Sequence, residues 1–213
     1  MASIMIHMAV AKKLNKDLKK DEYKFMLGSI SPDISKLVGE NKLRSHFLDS
    51  VDNNVPNMDK FLNKYKKDLN DDYILGYYVH LYTDYLWWKY FIPEIFDKNK
   101  SIITKLDGSK VDCHGRMAIQ YIYNDFTNLN IRLIEDYDLN LEMFYEEIKP
   151  LDKTIDEIPC DRLNILIEES IKILNRARLD KEFVFNMDSV NNFIDLSVKL
   201  IKSNLIELKL LEE

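Results

Sequence analysis

Glycine and proline are scarce, with five of each in 213 residues. Domains built from many strands and tight turns consume both, so this scarcity argues against an all-β architecture. Cysteine is scarcer: Cys113 and Cys160 stand apart, with no CxxC spacing. They leave room for one disulfide, but two free thiols in a reducing cytosol are expected. No apolar run approaches the ~18 residues that a membrane span requires. Charge of one sign is also lacking. Thirty basic and 36 acidic residues are interspersed and leave a net charge of −6. That balance gives no general pull toward nucleic acid or anionic lipid. The basic pairs Lys12-Lys13, Lys19-Lys20 and Lys66-Lys67 read as solvated surface. The apolar stretch from Met1 to Val10 has no basic segment before it and no cleavage motif, so it reads as a first helix rather than a signal peptide. A soluble, cytoplasmic protein is expected.

What the chain does have is hydrophobic residues, at 46%, in segments rich in Leu, Ile, Lys, Asp, Glu and Asn. This predicts an all-α, single-domain helical bundle over residues 1–213 with no sizeable sheet. The spacing predicts helices over Ser3 to Leu14, Asp21 to Leu27, Leu43 to Leu48 and Pro56 to Leu69. Further helices are expected over Tyr73 to Phe91, Arg116 to Glu135, Asn140 to Lys149, Arg162 to Arg178 and Ser189 to Leu211. Gly28, Ser31 and Pro32 should break the second helix, and Pro93 should stop the aromatic one. Asp97 to Asp112 reads as a loop.

Four histidines are present: His7, His46, His80 and His114. Ile4, His7, Met8, Ala11 and Leu14 form one helical stripe, which puts His7 on a buried face. His80 and Asp84 are four residues apart in an aromatic helix, on one face and about 6 Å apart along its axis. A carboxylate inside so apolar a helix is costly unless it is paired or coordinated. One such pair alone reads best as a core hydrogen bond. The addition of His7, of Asp33 emerging from the Ser31-Pro32 break, and of His46 in Arg-Ser-His-Phe shifts the reading toward a divalent metal. Mixed imidazole and carboxylate ligands suit zinc, manganese or iron.

The segments IHMAVAKKL, FMLGSISPDIS, RSHF and GYYVHLYTDYLW together resemble the zinc-dependent phospholipase C family. The likeness covers roughly the first 90 residues and rests on the order of weak motifs. They are Gly28-x-x-x-Pro32-Asp33, then His46, then Gly76-x-x-x-His80-x-x-x-Asp84. The resemblance implies an all-helical fold shared with fungal zinc nucleases, and phosphoester hydrolysis by metal-activated water. It implies one ion held by Asp33, His46, His80 and Asp84, with Asp84 bridging to a second ion near His7. It also implies Asp33 as general base.

Departures from that family are plain. The chain begins Met1-Ala2, where secreted members offer an N-terminal Trp amine. Tyr90 stands where a further His is expected, and His114 is followed four residues on by Ala118 instead of Glu. One or two ions are therefore expected. Choline-contacting residues cannot be placed, which leaves the substrate as a small phosphoester or a phospholipid headgroup. Asp125 and His114 are further candidates for the site. They lie eleven residues apart, about 16 Å along one helix, so both cannot bind one ion; Asp125 is preferred. Arg44 is a candidate phosphate contact. Competing readings are a non-catalytic helical scaffold with a structural metal and the HD-type phosphohydrolases. The latter need an adjacent His-Asp pair that this sequence lacks. A Cys113-His114 nucleophile is not supported, since neighbours on a helix do not face each other.

Overall fold

The computed structural model describes residues 2–99, 101–113, 116–140, 142 and 145–212, with only the backbone described over 116–119. Its elements in chain order are helices α1 (Ile4–Leu18), α2 (Glu22–Ile30), α3 (Ile34–Leu37), α4 (Lys42–Ser45), α5 (Met58–Tyr65), α6 (Asp72–Leu86) and α7 (Ile92–Ile95). A small sheet follows, of β1 (Phe96–Asp97), β2 (Ile102–Thr104) and β3 (Lys110–Asp112). Helices α8 (Arg116–Asp136), α9 (Leu163–Leu174) and α10 (Met187–Glu207) complete the chain. The protein is mostly helical. Among the described residues, no helix is long and apolar enough to cross a membrane.

Local chemistry explains the helix ends. The Ser3 hydroxyl accepts the Ile6 amide and opens α1. The Asp71 carboxylate accepts the amides of Tyr73 and Ile74 and opens α6. Such caps satisfy amides that the first helical turn leaves without partners. Helix α1 closes at Lys19, whose left-handed φ of 53° lets its amide reach the Asn15 carbonyl.

Helices α2 and α6 form the closest pair. A Cβ on Gly28 would lie 2.1 Å from the Tyr73 carbonyl oxygen, and one on Gly76 would lie 2.1 Å from that of Phe25. Each backbone therefore occupies the space that a side chain on the other would need. Helix α1 lies against both, and its residues from Met5 to Ala11 are all buried. One core continues from this trio to α10. Its far side is an aromatic group in which Trp87 stacks on Phe91 at 4.2 Å and meets Phe126, Phe185 and Phe193 edge-on or tilted.

Several expectations are corrected. Gly28 does not break α2, which runs on to Ile30, because the bare backbone at Gly28 is what the packing requires. Pro32 sits inside a 3₁₀ turn, Ser31–Asp33, that links α2 to α3. An early position in a turn is one where a missing N–H costs little. Pro93 does not stop the aromatic helix either. A π-turn over Trp87–Phe91 lets the Ile92 amide reach the Trp87 carbonyl, and α7 follows with Pro93 in its first turn. The expected loop from Asp97 to Asp112 carries the antiparallel order β1-β2-β3, with Ile103 opposite both Phe96 and Val111. The β2–β3 turn contains Asp107-Gly108, with Gly108 at φ 79°, a local hairpin signal. Of the helix expected over Asn140 to Lys149, Leu141, Met143 and Phe144 lie outside the described residues, Glu142 lies in a 3₁₀ turn, and Tyr145 to Lys149 are not helical. Asn140 accepts the Glu142 amide, and Tyr145 to Glu147 are exposed.

The crossing yields a test. Gly28→Ala or Gly76→Ala should each cost about 3 kcal/mol or more of unfolding free energy in urea, since the clash is with backbone and cannot be relieved by a rotamer. Gly39→Ala is a poor control because of its φ of 76°, so Ser203→Ala on exposed α10 surface is the comparison, expected within about 0.5 kcal/mol. Near-neutral behaviour of both glycine variants would refute the close approach.

Candidate metal centre

Five residues from four separated segments meet beside the α2–α6 crossing. His7 comes from α1, Asp33 from the 3₁₀ turn, His46 from the end of α4, and His80 and Asp84 from α6. Two overlapping groups have donor atoms within 4.8 Å of one another: His7, His80 and Asp84, and Asp33, His46 and His80. His7, His80 and Asp84 are fully buried, while Asp33 is 9% exposed and forms the accessible edge.

The individual spacings are close. His46 Nε2 lies 3.3 Å from His80 Nε2, 3.5 Å from Asp33 Oδ1 and 3.6 Å from Asp84 Oδ2. His80 Nε2 is 3.9 Å from Asp84 Oδ2. On the other side, His7 Nε2 is 3.4 Å from Asp84 Oδ1. The two oxygens of Asp84 thus face different histidines. The Ala2 backbone amide donates to Asp84 Oδ1 at 3.0 Å. The rings of His7 and His80 stack, with centroids 3.8 Å apart.

Second contacts fix the tautomers. The His80 Nδ1–H donates to the Ser29 carbonyl at 2.8 Å, so its Nε2 presents a lone pair to the centre. His46 Nδ1 lies 2.8 Å from Ser45 Oγ, which donates to Ser35 Oγ at 2.9 Å; that hydroxyl in turn faces the Pro32 carbonyl. Followed back from its carbonyl terminus, this chain makes His46 Nδ1 the donor and leaves its Nε2 unprotonated. Two imidazole lone pairs therefore point at each other amid carboxylate oxygens. No hydrogen bond joins such a pair, and a cation between them removes the repulsion. Ligating histidines held through the other ring nitrogen are the usual pattern around metals.

The donor set fits a divalent ion by three observations. Asp33 Oδ1, Asp84 Oδ2 and both nitrogens of His7 are buried without a hydrogen-bond partner. Ligands at about 2.0 Å from a tetrahedral ion lie roughly 3.3 Å from one another. The observed separations of 3.3 to 3.6 Å around His46 are close to that. Finally, the set combines neutral imidazole with carboxylate, a mixture suited to zinc and similar ions.

Burial works against the charges of Asp33 and Asp84, yet both carboxyls are held below the usual carboxylate range. The Lys36 ammonium is the leading influence that offsets the burial of Asp33, and His7 contributes at Asp84. Burial first, and then His7, push the His80 imidazole down to about 3.

The position of His46 depends on its neighbours. Helix α4 ends at Ser45, and Phe47 takes a left-handed φ of 51°. Its ring is held edge-on by Phe61 and Tyr65, while the Tyr77 hydroxyl donates to the Ser45 carbonyl at 2.6 Å. These contacts aim the imidazole back at α6.

Other expected site residues go elsewhere. Asp125 is buried but is in neither group. Its carboxylate accepts the backbone amides of Phe183, Val184 and Phe185 at 2.7 to 3.1 Å, which ties the segment before α10 to α8. An acidic side chain in a helix carried no sign that its partners would be main-chain amides. The Arg44 guanidinium donates to the Asp156 carbonyl at 3.0 Å, so it holds a loop. His114 lies outside the described residues. Sequence reasoning missed Lys36, whose Nζ is 3.8 Å from Asp33 Oδ1; the three-residue helical spacing was the available signal. It also missed Ser29, Ser45 and the Ala2 amide. Ser45 is adjacent to His46, but the Ser29 and Ala2 contacts use main-chain atoms and leave no mark on side-chain identity.

Comparison with known proteins finds no matching family model, no curated relative and no matching solved structure.

The depressed His80 imidazole sets a pH dependence. Between its ordinary value of 6.5 and the folded value of about 3, the unfolded chain takes up a proton that the folded chain refuses. Stability of the metal-free protein therefore falls as pH drops through that interval. The stability contributed by Asp33 and Asp84 is full above the ordinary carboxylate value of 3.8 and is lost only below it. The span from pH 6.5 to about 4 thus belongs to His80 among these three groups. Urea unfolding of chelator-treated protein should show a declining free energy across this span, and His80→Asn should flatten it. An unchanged slope in that variant would remove His80 as the cause.

Proposed function

We propose that the protein is a metal-dependent phosphoester hydrolase, with zinc as the ion that suits its donors best. The supporting observation is the convergence of the His46 and His80 Nε2 atoms with Asp33 and Asp84, at a point where Asp33 also borders an open cleft. Asp33, His46, His80 and Asp84 would hold one ion. His7 and the second oxygen of Asp84 would contribute to another. This is the ligand pattern that the resemblance to zinc-dependent phospholipases C implies, and the helical fold type of that family belongs to the same proposal.

When bound, a divalent ion supplies Lewis acidity toward a phosphoryl oxygen and acidifies water. The chain's own groups supply the rest. Asp33 reaches the cleft edge as a carboxylate, because its neighbours hold its proton affinity low. Its oxygen is placed to accept a proton from water attacking phosphorus. The Lys36 ammonium, also bordering the cleft, offsets charge on the phosphoryl oxygens. Ser29 and Ser45 keep both imidazoles in the tautomer whose Nε2 is a lone pair.

A structural metal in a non-catalytic scaffold is the second reading. The complete burial of His7, His80 and Asp84 favours it, since structural sites are closed. Turnover separates the two. Zinc-loaded protein should hydrolyse 4-nitrophenyl phosphate or bis(4-nitrophenyl) phosphate, measured with metal content by mass spectrometry. Asp33→Asn should lower the rate about 100-fold or more while retaining part of the metal, because an amide is a poor base. Asp84→Asn should lose most of the metal. Full metal content without turnover would favour the scaffold; normal activity in both variants would dismiss the site.

A further inference from the structure

The cluster of ligands meets solvent at one edge. His7, His80 and Asp84 have no exposed surface and His46 keeps 1%, whereas Asp33 is 9% exposed. Beside Asp33 stands Lys36 of α3, with its Nζ 3.8 Å from Asp33 Oδ1 and 43% of its side chain exposed. Both residues border a cleft of about 460 Å³ between α1, α3, α8 and α9.

Most of the remaining lining is apolar. Ile4, Met5, Phe126 and Leu166 form walls, and Leu37, Tyr123 and Ile173 line the cleft with 39%, 57% and 44% of their surface exposed, which makes them its rim. Single exposed apolar side chains are ordinary, but three on one cleft beside a ligand cluster mark a binding surface. The hydroxyls of the lining are turned to their own helices. Thr127 donates to the Tyr123 carbonyl at 2.9 Å, Ser170 donates to the Leu166 carbonyl at 2.7 Å, and Ser3 accepts the Ile6 amide. Glu169 is paired with Lys172, and Arg176 is an exposed side chain just past the end of α9. A polyhydroxylated group entering here would lose water and find few partners.

We propose that the centre takes phosphomonoesters of compact apolar alcohols in preference to phosphodiesters, with Lys36 as the residue that distinguishes the two. The proposal rests on the hydrolase reading. A phosphate that enters past Asp33 turns its free oxygens toward the ligand cluster and Lys36, and its ester oxygen back into the cleft. A monoester has three free oxygens, so two can face the cluster while the third accepts from the Lys36 ammonium. A diester has only two. Its second substituent must displace the Lys36 contact or lie outside the apolar walls, and it brings less negative charge. The volume of the cleft suits a ring-sized alcohol, not a pair of long acyl chains. Hydrolysis in this pose breaks the bond from phosphorus to the alcohol oxygen, which leaves into the cleft and takes a proton from solvent. Water supplies the new bond to phosphorus and gives a proton to Asp33.

Calorimetry with the full chain in zinc-supplemented buffer at mildly alkaline pH tests this, using phosphonates that cannot be hydrolysed. Benzylphosphonate stands for the monoester and its monomethyl ester for the diester. 2,3-Dihydroxypropylphosphonate stands for a polar alcohol and decylphosphonate for a lipid. Benzylphosphonate should bind about tenfold more tightly than its methyl ester, the factor expected of one charge-assisted hydrogen bond. It should also bind several-fold more tightly than the dihydroxypropyl compound, and decylphosphonate should gain no more than about threefold over it, since the longer chain continues into water. Lys36→Met keeps the aliphatic stem and removes the charge; it should weaken benzylphosphonate and bring the monoester and diester mimics within about threefold of each other. Ile173→Asn, at an exposed position where substitution is tolerated, should weaken benzylphosphonate and spare the dihydroxypropyl compound. Equal affinities for benzylphosphonate and its methyl ester, or a ratio that survives in Lys36→Met, overturns the proposal. So does tightest binding of the dihydroxypropyl or decyl compound, an Ile173→Asn loss shared by both alcohol types, or no binding of benzylphosphonate by zinc-loaded wild type. The wild-type comparisons require no variant to fold. Turnover separates this proposal from the hydrolase reading. A higher kcat/KM for bis(4-nitrophenyl) phosphate than for 4-nitrophenyl phosphate keeps the hydrolase and overturns the monoester preference; the binding ratio without turnover of either keeps the phosphomonoester site and removes the hydrolase.

Discussion

The backbone contact between α2 and α6 is the constraint on which the centre depends. With Gly28 and Gly76 at the crossing, each helix rests against the other's carbonyls, closer than side chains normally permit. That approach brings the Ser29 carbonyl within 2.8 Å of His80 Nδ1, one residue from one glycine and four from the other. The same contact carries the continuation of α2, through Ser31 and Pro32, to the place where Asp33 meets His46. A separation larger by one methyl group would break the bond that sets the His80 tautomer and would withdraw Asp33 from the cluster. The two glycines thus define the distance between ligands that the sequence sets about 50 residues apart.

The polar interior has a cost that the rest of the fold offsets. Two carboxylates and three imidazoles lie among residues such as Met5, Ile30 and Val79, in surroundings that solvate charge poorly. The available hydrogen bonds mostly engage the outer atoms of the cluster: Nδ1 of His46 and His80, and one oxygen of Asp84. The inner atoms, Asp33 Oδ1 and Asp84 Oδ2, remain without donors. An arrangement that satisfies the outside of a cluster and leaves its inside to repel is stable when a cation occupies the middle. The large apolar core on α1, α2 and α6 supplies the surplus that keeps the ligands in register.

Much of this was legible in the sequence, for identifiable reasons. The stripe of Ile4, His7, Met8, Ala11 and Leu14 placed His7 inward because a helix repeats every 3.6 residues, and α1 follows that rule. His80 and Asp84 were legible for the same reason. Asp33 and His46 were legible only through their order relative to those residues, since neither sits on a periodic face. The short sheet was missed although Asp107-Gly108 stood between β-branched segments, because three-residue strands give too little alternation to read. Gly28 and Pro32 were read as breakers. Local propensity says so, but packing against α6 overrides it in one case and 3₁₀ geometry accommodates the other. Asp125 was a further candidate, preferred over His114; its buried carboxylate is compensated by three main-chain amides supplied from residues about 60 positions away, which its own sequence context does not signal.

The two ends of the cluster are chemically unequal, and that inequality bears on how many ions it would hold. The Asp33–His46–His80 side has three donors besides Asp84, a defined tautomer on both rings and an edge open to the cleft. The His7 side has one imidazole, with neither nitrogen bonded, and shares Asp84 and His80 with its neighbour. Position 90, where the resembling family would offer another histidine, is a tyrosine with 46% of its surface exposed, in the π-turn beyond α6. A π-turn shifts the residues beyond it around the helix axis relative to the α-helical register of His80 and Asp84. A histidine at position 90 would therefore not fall on the face that carries those two ligands, and the exposure of Tyr90 agrees with that. Among the described residues, the His7 side accordingly offers fewer ligands than its neighbour. Ions should fill the Asp33 side first, and His7 should matter chiefly through its contact with Asp84 Oδ1, as the group that orients the shared carboxylate.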